Sequence, residues 1–270
     1  MTPGFEAKAA EVGRVLSKLP GEFWECLVHG EPELMFKDQY ERYGFGKFVT
    51  LMTMLALNDY RLKGPAEKYY WPPLHEIISK NPVPENPEDL IPILEQFYLK
   101  EMAKTAKIKR LHKFLKSSLA KKLWNSTPDS VARNFKQIWH ELAKTMSQRR
   151  DAKTIVFAMK VIGECLILAG RRDFDFTGIP IPVDSRVKNI TQKILGKEVD
   201  EKDVRKFWEL VLRNIEVEGV TMIQLDSLVW QVAGLESCEE IRKYFHEKCK
   251  VKPSQEIDEV IEYFCNLVGE

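Results

Sequence analysis

Val131-Ala132-Arg133-Asn134-Phe135-Lys136-Gln137-Ile138-Trp139-His140-Glu141-Leu142 decides the fold class. Val131, Phe135, Ile138, Trp139 and Leu142 share one face of a 3.6-residue period, with Asn134, Lys136, Gln137 and Glu141 between them. Pro128 followed by Asp129 or Ser130 supplies an N-cap region for this helix. Outward from it the same period recurs. Phe48, Leu51 and Leu55 mark a buried helix closed by Lys63-Gly64-Pro65, and Ile257, Val260, Ile261, Phe264 and Leu267 mark another near the C-terminus. No stretch sustains the apolar–polar alternation of a strand. The expected fold class is all-α.

Two proline-rich breaks divide the chain, one from Trp71 to Pro87 and one from Phe174 to Asp184. The segment from Asp151 to Ala169 is the most apolar, with only Lys160 and Glu164 charged from Ile155 onward, so most of that helix must be buried. Lys153 stands in its first turn, where the helix dipole disfavours a cation by roughly 0.3–1 kcal/mol. Nearby Arg149 and Arg150 add to that, and a neutral amine is what nucleophilic lysine chemistry needs. An ordinary surface lysine is the simpler reading of that residue alone. Thirty-one residues later, Pro180-Ile181-Pro182-Val183-Asp184 leads into Val187, Ile190 and Ile194 at helical spacing. Asp184 therefore reads as an N-cap carboxylate behind two φ-fixing prolines.

Composition narrows the class of protein. With 44% hydrophobic and 30% charged residues, the 270-residue chain can bury a core while keeping a wet surface, which excludes a disordered chain. It has no uncharged apolar run long enough to span a membrane. No export signal is visible at the start, so a cytoplasmic, nucleoid-associated location is expected. Five cysteines, none closer than eleven positions to the next, argue against a disulfide framework and a CxxC metal site and for a reducing compartment. The five histidines have no ligand spacing, so no metal is expected.

Net charge is only +1, but Lys100 to Lys122 carries nine Lys and Arg against Glu101 alone. Such a segregated patch suits phosphate backbones, with Lys107, Lys109 and Arg110 as candidate contacts. A solvated lysine-rich helix face is an equal reading on charge alone.

Lys153-Thr154 opening an apolar helix, followed by a loop ending in Pro182-Val183-Asp184, resembles the helix-hairpin-helix DNA glycosylases. More narrowly the chain resembles the archaeal 8-oxoguanine DNA glycosylase family, on Ala56-Leu57-Asn58-Asp59-Tyr60-Arg61-Leu62-Lys63-Gly64, Tyr70-Trp71, Lys153-Thr154-Ile155-Val156-Phe157, Ile179 to Asp184 and Gln224 to Trp230. The resemblance runs over roughly Leu34 to Gly234 and implies two helical subdomains, 36–170 and 1–35 plus 171–270, with the site in the cleft between them.

It further implies a bifunctional enzyme acting on DNA that contains 8-oxoguanine, duplex or single-stranded, as a monomer. Lys153 would form a Schiff base, and Asp184 would assist its deprotonation and steady the developing sugar cation. Gln39, Trp71, Lys160, Asp226 and Trp230 would receive the flipped base. The bland readings are a core tryptophan for Trp71 and Trp230, a Glu164 partner for Lys160 and a helix-start polar residue for Asp226. No cofactor is implied, since Cys238, Cys249 and Cys265 lack the number and spacing of the superfamily's iron–sulfur ligands. The superfamily's glycine-rich hairpin before the lysine helix reads here Met146-Ser147-Gln148-Arg149-Arg150-Asp151. Arg149 and Arg150 are expected to replace its backbone grip on phosphate with side chains. A glycosylase for another lesion, or a non-catalytic helical DNA-binding protein, are the competing readings.

Overall fold

The computed structural model describes residues 3–248 and 252–268. Their regular secondary structure is all helical, with no strand among the described residues. The chain divides into two compact units: one runs Pro32–Phe176, and the other joins the chain up to Glu31 with Thr177 onward.

The Pro32–Phe176 unit is built around the Lys153–Leu168 helix, which packs most extensively on the Phe45–Leu57 helix. Phe48, Leu51, Leu55, Ile155, Met159 and Ile162 are all sealed from solvent, so these two helices form the centre of its core. Burying each such side chain is worth about 1.5–3 kcal/mol. The period read over Val131–Leu142 is interrupted. A short helix, Pro128–Arg133, ends at Asn134, and a second, Phe135–Met146, continues the apolar face. Neither Asp129 nor Ser130 caps the first helix. Thr127 does, its hydroxyl accepting from the Ser130 N–H at 3.2 Å with Pro128 at the first helical position. Trp71-Pro72-Pro73 likewise opens a helix, Trp71–Lys80, because prolines cost nothing where the N–H groups have no intrahelical partner.

The other unit packs Pro3–Leu16 against Glu201–Arg213 and Gly21–His29 against Met222–Val232. Here the cysteine reading is corrected. Cys238 and Cys265 form a disulfide, and Cys26 is also disulfide-bonded; Cys165, buried in the other unit, is the free thiol among the described residues. Spacing along the chain misled because the Cys238–Lys243 and Gln255–Val268 helices pack together, bringing the two Cα atoms to 4.7 Å. Cys249 lies outside the described residues.

A bond closing a separation of 27 residues restricts the unfolded chain by about 3.5 kcal/mol. The double variant Cys238→Ser/Cys265→Ser is therefore expected to melt roughly 5–10 °C lower. Melting without reductant, followed by circular dichroism, checks this; coincident curves would show that the bond contributes nothing in solution.

Candidate active site

Lys153 is the first residue of its helix, exposed at the mouth of an element whose next two turns are mostly buried. The hairpin before it forms without glycine. Ser147 takes the left-handed conformation at φ 51° that ends the Phe135–Met146 helix, and the Gln148 N–H closes the turn on the Ala143 carbonyl at 2.9 Å. The Trp139 indole donates to the Arg150 carbonyl at 2.9 Å, fixing the far side of the turn. Thr154, beside the lysine, donates to Gln148 Oε1 at 3.2 Å.

The candidates for base recognition in this unit are all buried. Gln39 donates to Asp38 and Ser79 and accepts from Arg42, at 2.9–3.1 Å. Trp71 is 1% exposed, with Phe36 and Tyr70 edge-on to its ring. The two residues belong to one helix pair, since Trp71, His75 and Ser79 repeat along one face of Trp71–Lys80 and His75 meets Asp38 at 2.8 Å. Lys160, 2% exposed, has Glu164 at 3.7 Å, the i,i+4 pairing of its bland reading.

Two phosphate candidates are corrected. Lys107 is fully buried, its ammonium 5.5 Å from the Tyr60 ring centre, 5.7 Å from that of Tyr70 and 3.7 Å from Glu101. Burial pulls its pKa below the ordinary lysine value, with Glu101 pulling back the other way. Lys107 falls on the apolar face with Leu111 and Phe114, so helical geometry turns it inward and away from any polyanion. Arg110 is turned inward too, donating to Leu57, Gln148 and Thr154. Lys109 points outward. Arg149, its side chain 85% exposed, forks onto Asp151 at 2.7 Å, and exposed Arg150 lies over Trp139 and against His140.

In the other unit Asp184 caps the Ser185–Leu195 helix, Oδ1 accepting the Val187 N–H at 2.9 Å. Its Oδ2 accepts the indole N–H of Trp230 at 3.0 Å. Two residues read separately in the sequence are thus directly bonded. Arg186 lies over the Trp230 ring, 4.3 Å from its centre, a contact that no local pattern in the chain announces. One face of that indole is therefore taken by a guanidinium. Asp226, one helical turn before Trp230, is buried.

The helical fold is similar to that of a solved structure. The crystal structure of the Pyrobaculum aerophilum 8-oxoguanine DNA glycosylase, complexed with 8-oxoguanosine, matches with a TM-score of 0.72 and 21% identity, covering 96% of this chain and 97% of that one. The family model of the N-glycosylase/DNA lyase AGOG matches residues 13–262, so the chain belongs to the AGOG family of N-glycosylase/DNA lyases. An N-glycosylase/DNA lyase of Thermococcus kodakarensis is 30% identical over 197 residues, 69% of this chain and 68% of that protein. One of Methanopyrus kandleri is 32% identical over 126 residues, 46% of this chain and 48% of the relative. One of Methanococcus maripaludis is 27% identical over 135 residues, 50% and 46%. The chain thus spans about half the length of two of these relatives and two thirds of the third.

Proposed function

We propose that this chain removes 8-oxoguanine from DNA and then nicks the strand, with Lys153 as nucleophile. The observation that carries the reading is the exposed Lys153 at the start of a sealed helix, behind a turn braced on both sides, in a member of this family. Lys153 Nζ, once it has given up a proton, attacks the anomeric carbon. The glycosidic bond breaks, and its electron pair leaves with the base, which takes up a proton. The nitrogen of the new C1′–N bond gives up a second proton, and the C1′–O bond of the ring breaks with its oxygen taking up a proton. A protonated Schiff base results, which draws electrons from the neighbouring carbon. Loss of a C2′ proton then expels the 3′ phosphate. Splitting the displacement this way replaces one hard step by easier ones.

Asp184, acting on the same sugar, takes the proton from the attacking amine and opposes the charge developing on the ring. Its two N–H partners fix the carboxylate, so it needs no reorganisation as that charge appears. Gln39, Trp71, Lys160, Asp226 and Trp230 receive the extruded base, which makes opening around buried Trp71 a part of binding. We place this work on chromosomal DNA inside the cell, by a monomer.

Sodium borohydride trapping on an 8-oxoguanine duplex tests the reading, beside duplexes carrying guanine or another lesion. A cross-link confined to 8-oxoguanine is expected. A cross-link only on another lesion would reassign the substrate, and none anywhere would make this a binding protein.

Backbone contact has its own measurement. Lys109→Gln and Arg149→Gln should each lower the slope of log affinity against log salt by about 0.9, uniformly across sequences. Lys107→Met should leave that slope unchanged. If Lys107→Met lowers the slope while the other two do not, the assignment of inward and outward charges is wrong.

A further inference from the structure

We infer that Arg110 is a positioning residue for Lys153, holding the glycine-free hairpin in the geometry from which the lysine helix starts; this rests on Lys153 being the nucleophile. The guanidinium joins three chain segments. Nε and Nη2 donate to the Leu57 carbonyl at 3.2 and 2.9 Å, Nη1 donates to Gln148 Oε1 at 2.9 Å, and Nη2 donates to Thr154 Oγ1 at 3.0 Å. Thr154 in turn donates to the same Gln148 oxygen at 3.2 Å, so Arg110, Gln148 and Thr154 close a ring of hydrogen bonds. The Tyr60 ring lies under the guanidinium, with the carbon 5.3 Å from the ring centre.

Each anchor bears on where Lys153 stands. Leu57 is the last residue of the helix on which the lysine helix packs, and its carbonyl carries the negative end of that helix's dipole. Gln148 lies in the turn immediately after the left-handed Ser147. Thr154 is the neighbour of the nucleophile itself. Glycine normally allows such a turn to be tight because it tolerates left-handed backbone; here Ser147 must hold that conformation with a side chain attached. A rigid planar fork supplies the restraint from outside the turn.

Lysine cannot replace it, because a single ammonium cannot span three acceptors at fixed angles. Four of the five N–H groups of a guanidinium are directed to these internal acceptors, so a forked contact to phosphate, which needs two, would have to break at least one of these bonds. The carbonyl, the amide oxygen and the hydroxyl all face a cation that burial has drawn below its ordinary pKa, as an inward-directed group requires.

The test compares Arg110→Met, Arg110→Lys, Thr154→Val and Thr154→Ser with the parent in single-turnover excision at saturating enzyme. Duplex affinity, its salt slope and melting curves are measured alongside. Both Arg110 variants are expected to lose about 100-fold in rate, as small misplacements of a reacting group do, with affinity and salt slope unchanged. Thr154→Val should lose at least about tenfold, and Thr154→Ser, which keeps the hydroxyl, should recover the parent rate. A merely structural role lowers melting temperature without touching the rate measured well below it. Should Arg110→Met not fold, the Thr154 pair decides, because serine and valine differ there in the hydroxyl that closes the ring. If the parent traps on damaged DNA but Arg110→Met, or Thr154→Val in its stead, keeps the parent rate, the inference is overturned. A lower salt slope at unchanged rate overturns it too. If the parent does not trap, it is the assignment of Lys153 that fails.

Discussion

Lys153→Gln is expected to abolish both borohydride cross-linking and strand nicking while the protein melts as the parent does. A glutamine amide nitrogen has no available lone pair and forms no Schiff base, so the loss is of the covalent route itself. Nothing in the fold opposes the change. Lys153 is exposed at the first position of its helix, and a neutral helix former there removes a charge the helix dipole disfavours. Binding to damaged duplex should stay within about threefold, since one neutralised phosphate neighbour changes affinity only modestly. The informative control is Lys160→Gln on the same helix. Lys160 is sealed beside Glu164, and its loss should blunt discrimination between 8-oxoguanine and guanine while trapping persists. Persistence of trapping in Lys153→Gln together with its disappearance in Lys160→Gln would mean that the wrong lysine on this helix has been chosen.

Helical class was legible because period is a local property: every turn of Phe135–Met146 and Gln255–Val268 repeats the same apolar face. Helix ends were less so. Thr127 rather than Asp129 or Ser130 caps its helix because Pro128 takes the first helical position, and Asn134 breaks a face that the pattern carries straight through. The disulfide escaped because it depends on which helices meet, and that is not written in the interval between cysteines.

The site was legible in part for the same reason. Asp184 as a cap follows from two prolines and a helical period, both local, and its hydrogen bond to Val187 is there. The basic stretch was read by counting charge, which treats Lys107 and Lys109 alike. Helical phase separates them, because Leu111 and Phe114 define an inner face that includes position 107. Arg110 reads as a phosphate contact by charge alone, because the acceptors that turn it inward lie 38–53 residues away along the chain. The bond from Trp230 to Asp184, across 46 residues, was hidden likewise, although both ends had been picked out.

That bond sharpens what Asp184→Asn must do. Asparagine caps a helix about as well as aspartate, so a simple cap would survive the exchange. Yet the carboxylate receives two donors here, the Val187 N–H on Oδ1 and the Trp230 indole on Oδ2. An asparagine has one carbonyl oxygen and an NH2, so whichever donor keeps the oxygen, the other meets an N–H. Stability should fall by about 1 kcal/mol or slightly more, the value of one displaced hydrogen bond. Excision should fall much further, about 10²- to 10³-fold, because the charge that opposes the sugar cation is gone. Binding should be retained. Trp230→Phe separates orientation from charge: it keeps an aromatic face under Arg186 but removes the indole donor, leaving Asp184 charged and held only by its cap. Its loss in rate should be smaller, and should largely vanish when measured in the Asp184→Asn background, since two residues acting through one bond are not additive. Single-turnover excision on an 8-oxoguanine duplex across the four proteins of this cycle is the measurement. Fully additive losses would show that Trp230 acts on the base alone, and an Asp184→Asn protein that excises at the parent rate would remove Asp184 from the chemistry.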